Sequence, residues 1–210
     1  MPRASRAEAE RHREQVIAAT AKLVRTHGAD KVSVPQAMAA AGLTHGGFYR
    51  HFASKDDLVA QACSAAFAER LADMEKPPEG EDTSGARAAF LATYLSARHR
   101  DNPGLGCAAA ALAVDAAHAE PGDPLKGAYV EGVRNLIGGM ERNARTAGDT
   151  AADEESVLVE LSTMVGALVL SRACAGDDLS DRILTAVRDH VLRAYEHTPD
   201  DEKDPSEAAE

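Results

Sequence analysis

The chain has 210 residues, 44% of them apolar and 27% charged, with three Cys, no Trp and a net charge of −11. That composition is the one a folded protein of one or two domains has, and it excludes wholesale disorder. The acidic total argues against a nucleic-acid binder, yet it is spread unevenly. Residues 1–55 hold nine basic side chains (Arg3, Arg6, Arg11, Arg13, Lys22, Arg25, Lys31, Arg50, Lys55) against four acids (Glu8, Glu10, Glu14, Asp30), a charge of +5, which leaves −16 for residues 56–210. A basic head on an acidic body is the pattern of a protein that attracts a polyanion at one end.

In chain order, a helix is predicted over about Ala7–Thr26, with Val16, Ile17, Thr20, Leu23, Val24 and His27 on one stripe. His27-Gly28 ends it, because glycine accepts the left-handed C-terminal conformation. Ser33-Val-Pro-Gln opens a second helix running to about Ala41: Ser33 caps, Pro35 sits where its missing N–H costs nothing, and Gln36 completes a capping box. Gly42 breaks it. Thr44 is expected to cap a third, very short helix through His51, and Ser54 a fourth reaching Met74 with Asp56 and Asp57 in its positive first turn. Lys76–Asp82 is a break in composition. Five further helices are predicted at about 84–99, 104–118, 125–147, 152–174 and 178–196, and the acidic stretch from Pro199 reads as a disordered tail. No segment alternates as a strand would, so the fold is expected to be all-α with about nine helices.

Helix, tight glycine turn and short helix make a helix-turn-helix corner. Val34, Ala37, Met38, Leu43, Phe48 and Phe52 are its expected core, leaving Thr44, His45, Gly47, Tyr49, Arg50 and His51 outward. Short polar groups, a tyrosine, an arginine and imidazoles at a helix N-terminus suit contact with base edges and phosphates in a major groove. Lys55 is placed to reach a phosphate.

The run Ala41-Gly-Leu-Thr-His-Gly-Gly-Phe-Tyr-Arg-His-Phe-Ala-Ser-Lys55, followed by Asp57-Leu58, resembles the DNA-binding signature of the TetR family of bacterial transcriptional regulators, over about residues 11–62. The resemblance implies a helix-turn-helix head at 1–55, a linking helix at 54–74, and a ligand-binding and dimerisation body at 75–198, with 199–210 as tail. It implies a homodimer on a palindromic double-stranded DNA operator, released by a small-molecule or electrophile effector. An activator or corepressor-dependent regulator of the same fold is the alternative. Ser33, Thr44, His45, Gly47, Tyr49, Arg50, His51 and Lys55 fall where the family contacts DNA; at Gly47 the family often carries Ser or Thr, so a side-chain contact is missing here.

In the body, Phe90, Tyr94, Arg98, Cys107, Leu112, Tyr129, Val133, Leu136 and Ile137 are candidate pocket residues, with Asp115, His118 and Arg134 as further polar fixings. Cys107, after Pro103-Gly-Leu-Gly, is placed in the first turn of a helix, where the dipole favours thiolate; it reads either as an electrophile sensor or as a small packing residue. Leu161, Val165, Leu168 and Val169, with Val187 and Val191, are candidate dimer contacts in a four-helix bundle, with Gly166 permitting close approach; the alternative is that all of them are intramolecular core. Cys63, Cys107 and Cys174 are too scattered for a disulfide framework or zinc site, and Asp115-Ala-Ala-His118 stands without the second carboxylate–histidine pair a helical metalloenzyme needs. No catalytic residue, metal or cofactor is expected. No signal peptide is visible, and the apolar runs Cys107–Val114 and Met164–Leu170 fall short of the roughly 20 residues of a membrane span, so the expected location is the cytoplasm.

Overall fold

A computed structural model describes residues 6–74, 83–146 and 153–196. The expected breaks at 76–82 and 147–148, the tail from Pro199 and Arg3 lie outside these residues. The described residues are all-α: α1 (Arg6–His27), α2 (Val34–Ala40), a 3-10 segment (His45–Arg50), α3 (Lys55–Met74), α4 (Thr83–Tyr94), α5 (Ala97–Asp101), a 3-10 turn (Pro103–Leu105), α6 (Ala108–His118), α7 (Pro124–Thr146), α8 (Glu154–Ala173) and α9 (Asp178–Glu196).

The head forms as its local chemistry dictates. Ser33 and Gln36 make the capping box, with Gln36 N donating to Ser33 Oγ at 3.4 Å and Ser33 N to Gln36 Oε1 at 2.9 Å. Gly42 has φ +71°, a backbone state that favours glycine, and Leu43 N then closes the turn on Met38 O at 2.9 Å. Two expectations are corrected. The third helix is a six-residue 3-10 segment, as two glycines in so short a run favour, and Thr44 at its N-cap makes no side-chain bond. His27 is exposed and lies off the buried stripe of α1. Ser54 does cap α3, accepting from Asp57 N at 3.0 Å, while Asp57 Oδ2 accepts from Ala53 N at 3.0 Å and Oδ1 from Gln61 at 2.7 Å. These hydrogen bonds, Gln61's first, hold the Asp57 carboxyl below its ordinary pKa.

The helix expected at 84–99 is two. Ser96 interrupts it: its Oγ accepts from His99 N at 3.2 Å and donates to Thr93 O at 2.7 Å, so the side chain restarts the helix as α5. The helix expected from 104 starts only at Ala108, after the 3-10 turn. α8 is longer and more apolar than the run read from Met164; it has the length and hydropathy of a span, but 39% of that stretch is buried against the rest of the protein.

One continuous apolar core runs from Val16 in α1 to Val191 in α9. α3 is its spine, with Leu58 and Val59 under the head and Ala66 and Phe67 under the body. α7 lies against α3 at two glycines seven residues apart. A Cβ on Gly132 would sit 2.2 Å from Phe67, and one on Gly139 2.4 Å from Leu71, so the contact exists only because both positions lack side chains.

Candidate nucleic-acid interface and ligand site

Phe48 anchors the head's outward face. It is 1% exposed, stacks on Phe52 at 5.5 Å between centroids, and meets Tyr49 edge-on at 5.1 Å. That burial forces Tyr49 outward, where it is 78% exposed. Ser33, Thr44, His45 and Arg50 are exposed with it, and Gly47, His51 and Lys55 are half-buried. Lys55 Nζ donates to Asp30 O at 3.2 Å, tying α3 to the turn before α2. All eight expected contact residues therefore sit on the helix-turn-helix corner or beside it. A Cβ on Gly47 would lie 3.8 Å from Met38, an ordinary contact, so its missing side chain is not imposed by crowding.

The expected pocket residues separate into distinct settings. Tyr94, Cys107, Leu112 and Leu136 are buried, whereas Phe90, Tyr129, Val133 and Ile137 are half-buried and pack against the core. Arg98 is exposed and does not join them, nor do the exposed His118 and Arg134. Asp115 is engaged elsewhere, since its Oδ1 accepts from Ala29 N at 2.8 Å and clamps the α1–α2 turn to α6. An open groove of about 500 Å³ lies apart from these residues, between the end of α1 and α5, α6 and α8; Arg25, Gly28, Pro103, Val169 and Arg172 are among its walls, and none of the nine expected pocket residues lines it.

Cys107 is the N-cap of α6, not a first-turn residue; it is 1% exposed and its side chain caps no amide. Its own N–H donates to His99 Nε2 at 3.0 Å, and His99 Nδ1 donates to Tyr94 O at 2.7 Å, which fixes a neutral imidazole. Burial, with the charges of Arg172 and Arg70, lowers the His99 pKa from 6.5 to about 4. The unfolded chain therefore takes up this proton first as pH falls, and the stability held by neutral His99 is complete above about 6.5 and lost toward 4. By pH 5 the loss should be about 2 kcal/mol. Urea unfolding of wild type and His99→Gln at pH 7 and pH 5 checks it: the gap between them should narrow at pH 5, and an equal gap at both would refute the assignment.

Burial also raises Cys63 to about 12 and Tyr129 to about 12, so both stay protonated within the core. Tyr129 Oη donates to Ala109 O at 2.9 Å, and Phe67 meets its ring edge-on at 5.6 Å.

One residue that sequence reasoning passed over joins head to body. Arg25, which the sequence offers only as one of the head's nine basic residues, has a side chain 2% exposed. Nε donates to Ala21 O at 3.1 Å, Nη1 to Gly106 O at 3.1 Å and Nη2 to Glu69 at 2.8 Å. One guanidinium thus links α1, α3 and the turn that leads into α6.

Of the expected dimer residues, Leu161, Leu168 and Val191 are buried in the chain's own core; Val165, Val169 and Val187 are half-buried. The apolar residues α8 does present outward are Leu158, Val159 and Leu170, 43%, 62% and 57% exposed. A Cβ on Gly166, between them, would meet nothing within 4 Å.

Comparison with known proteins agrees with this architecture. Residues 16–62 match the family model of bacterial regulatory proteins, tetR family. No curated protein matches the chain. Among solved structures, the reduced form of Escherichia coli NemR is similar at 18% identity and a TM-score of 0.70, over 87% of this chain and 96% of that one. A TetR transcriptional regulator from Chloroflexus aurantiacus is similar at 22% identity and 0.69, over 89% and 97%. A TetR-family regulator from Agrobacterium tumefaciens is similar at 17% and 0.68, over 89% and 98%. The chain therefore has the fold of these regulators along its length and the family's sequence signature in its head.

Proposed function

We propose, from a head that matches the tetR family and a fold shared with its transcriptional regulators, that this chain is a ligand-responsive repressor acting as a dimer on a palindromic operator in the cytoplasm. The observation that carries the reading is Tyr49, a large aromatic 78% exposed beside exposed His45 and Arg50 on a rigidly packed corner. Such a face costs apolar hydration in the free protein and is accounted for by DNA in a major groove. Thr44 supplies a hydroxyl for a phosphate, and the excess of basic side chains in residues 1–55, of which Arg25 is buried, favours attraction at the head.

The second copy would pack on α8 through Leu158, Val159, Val165, Val169 and Leu170, with Gly166 allowing close approach. The effector would act in the body and reach the head through α3, which carries core residues of both. Closure of Arg25 and Asp115 on the head side of α6 supports a single lever joining the two. Modification of Cys107 by an electrophile would first require the turn before α6 to open, since the thiol is 1% exposed.

The test is titration of the DNA upstream of the chain's own gene, followed by fluorescence anisotropy at two salt concentrations. A specific complex with an even number of protomers and an affinity that falls steeply with salt is expected. Tyr49→Ala should weaken it by roughly tenfold at unchanged thermal stability, and Lys55→Ala by a similar factor with a small loss of stability from the broken bond to Asp30 O. Affinity equal to that for random DNA would overturn the reading.

A further inference from the structure

Tyr94 ends α4 with 3% of its surface exposed, and its hydroxyl has no hydrogen-bond partner among the described residues. It faces the thiol of Cys107, the N-cap of α6, a weak acceptor that caps no amide of its own helix. Leaving a buried hydroxyl unpaired is costly, so such groups are rare without a reason.

Two guanidinium groups lie in the neighbourhood of its ring. Arg70, from α3, lies 5.6 Å from the Tyr94 ring centroid and 5.1 Å from that of Phe90. Arg172, from α8, donates Nη2 to His99 O at 3.1 Å and Nε to Arg100 O at 3.2 Å. Those acceptors are neutral carbonyls, whereas Arg25 and Arg100 reach carboxylates. Arg172 also comes close to the start of α6: a Cβ on Gly106 would sit 2.9 Å from its Nη2. Burial keeps the Tyr94 hydroxyl protonated, hence a donor. Both cations also disfavour charge on His99, whose ring lies 4.7 Å from that of Tyr94. In a chain of net charge −11, this interior corner gathers two guanidinium groups near a buried hydroxyl donor, beside a helix N-terminus.

We propose that this corner, between α3, α4 and the start of α6, binds the carboxylate of a small organic acid, with Tyr94 donating to it and Arg70 and Arg172 balancing its charge. Two guanidinium groups and one hydroxyl suit the paired oxygens of a monoanion, and Phe90 offers a wall for an apolar body. The inference rests on the chain being effector-responsive and gives the effector its class. Because Arg172 holds the carbonyls of α5 and Arg25 holds Gly106 in the same turn, an acid bound here acts on the junction between body and head.

The test uses the full chain with sodium acetate, benzoate and octanoate at constant ionic strength against sodium chloride, and benzamide as the neutral twin of benzoate. At least one carboxylate should raise Tm by several degrees, with benzamide inert, and calorimetry should show that affinity falling tenfold or more in Tyr94→Phe and Arg70→Met. Tyr94→Phe without ligand should be at least as stable as wild type, since it removes an unpaired hydroxyl. The site is overturned if no carboxylate exceeds chloride, if benzamide matches benzoate, or if Tyr94→Phe binds as tightly as wild type. Operator affinity measured on the same samples separates the two readings. Carboxylate binding without an operator complex sinks the regulator and leaves the site, and an operator complex with no carboxylate binding does the reverse.

Discussion

Replacing Phe48 with alanine should lower the unfolding free energy by about 3–5 kcal/mol and abolish operator binding with it. Phe48 is 1% exposed, in ring contact with Phe52 and Tyr49, within the core that also holds Met38. Truncation leaves a void walled by parts that cannot close in. α2 is pinned by its capping box, and the 3-10 segment is held by His51 N and Phe52 N donating to Phe48 O at 2.9 and 3.1 Å. Phe48→Leu, which keeps most of the volume, should cost about 1–2 kcal/mol. The neighbouring Tyr49→Ala removes a ring that is 78% exposed and should change stability by no more than about 0.5 kcal/mol. Urea unfolding of the three variants checks the order. A loss under about 1 kcal/mol for Phe48→Ala would mean the corner is not packed as described.

The contrast between those adjacent residues was legible in the sequence, because it follows from local rules. The capping box, Pro35 in the first turn and Gly42 at the corner each state a backbone geometry within four residues, and a corner so fixed leaves Phe48 one side to face. What could not be read depends on distant partners. Ser96 restarts the helix, yet His99 stays in place because its ring is held between Tyr94 O and Cys107 N. Gly132 and Gly139 look like helix weakeners until Phe67 and Leu71 appear opposite them. α8 is harder to read for a different reason. It is apolar almost all round, so periodicity does not tell its core side from its outer side, and the burial of Leu161 and Leu168 is set by packing within the chain. That Arg70 lies against the Tyr94 ring was not legible, since it comes from α3, far away in the chain.

Arg25 offers the sharpest test of how head and body are joined. Arg25→Met should cost about 2–4 kcal/mol, and the source of that cost can be identified. Its partner Glu69 has a side chain 49% exposed and rehydrates freely once the arginine is gone. Ala21 O keeps its place in the α1 backbone. Gly106 O is different: Gly106 is buried, so its carbonyl loses the Arg25 donor away from solvent. The penalty therefore falls on the turn before α6, and Lys should recover only part of it, because an ammonium cannot span three acceptors as the guanidinium fork does. Stability should rank Arg, Lys, Met. Amide hydrogen exchange then discriminates the meaning of the network. If Arg25 joins two units, Arg25→Met should speed exchange both at Cys107 N, which bonds His99, and at Ala29 N, which bonds Asp115 of α6. Faster exchange confined to α1 would reduce Arg25 to a support of its own helix, and the route from body to head would then have to run through α3 alone.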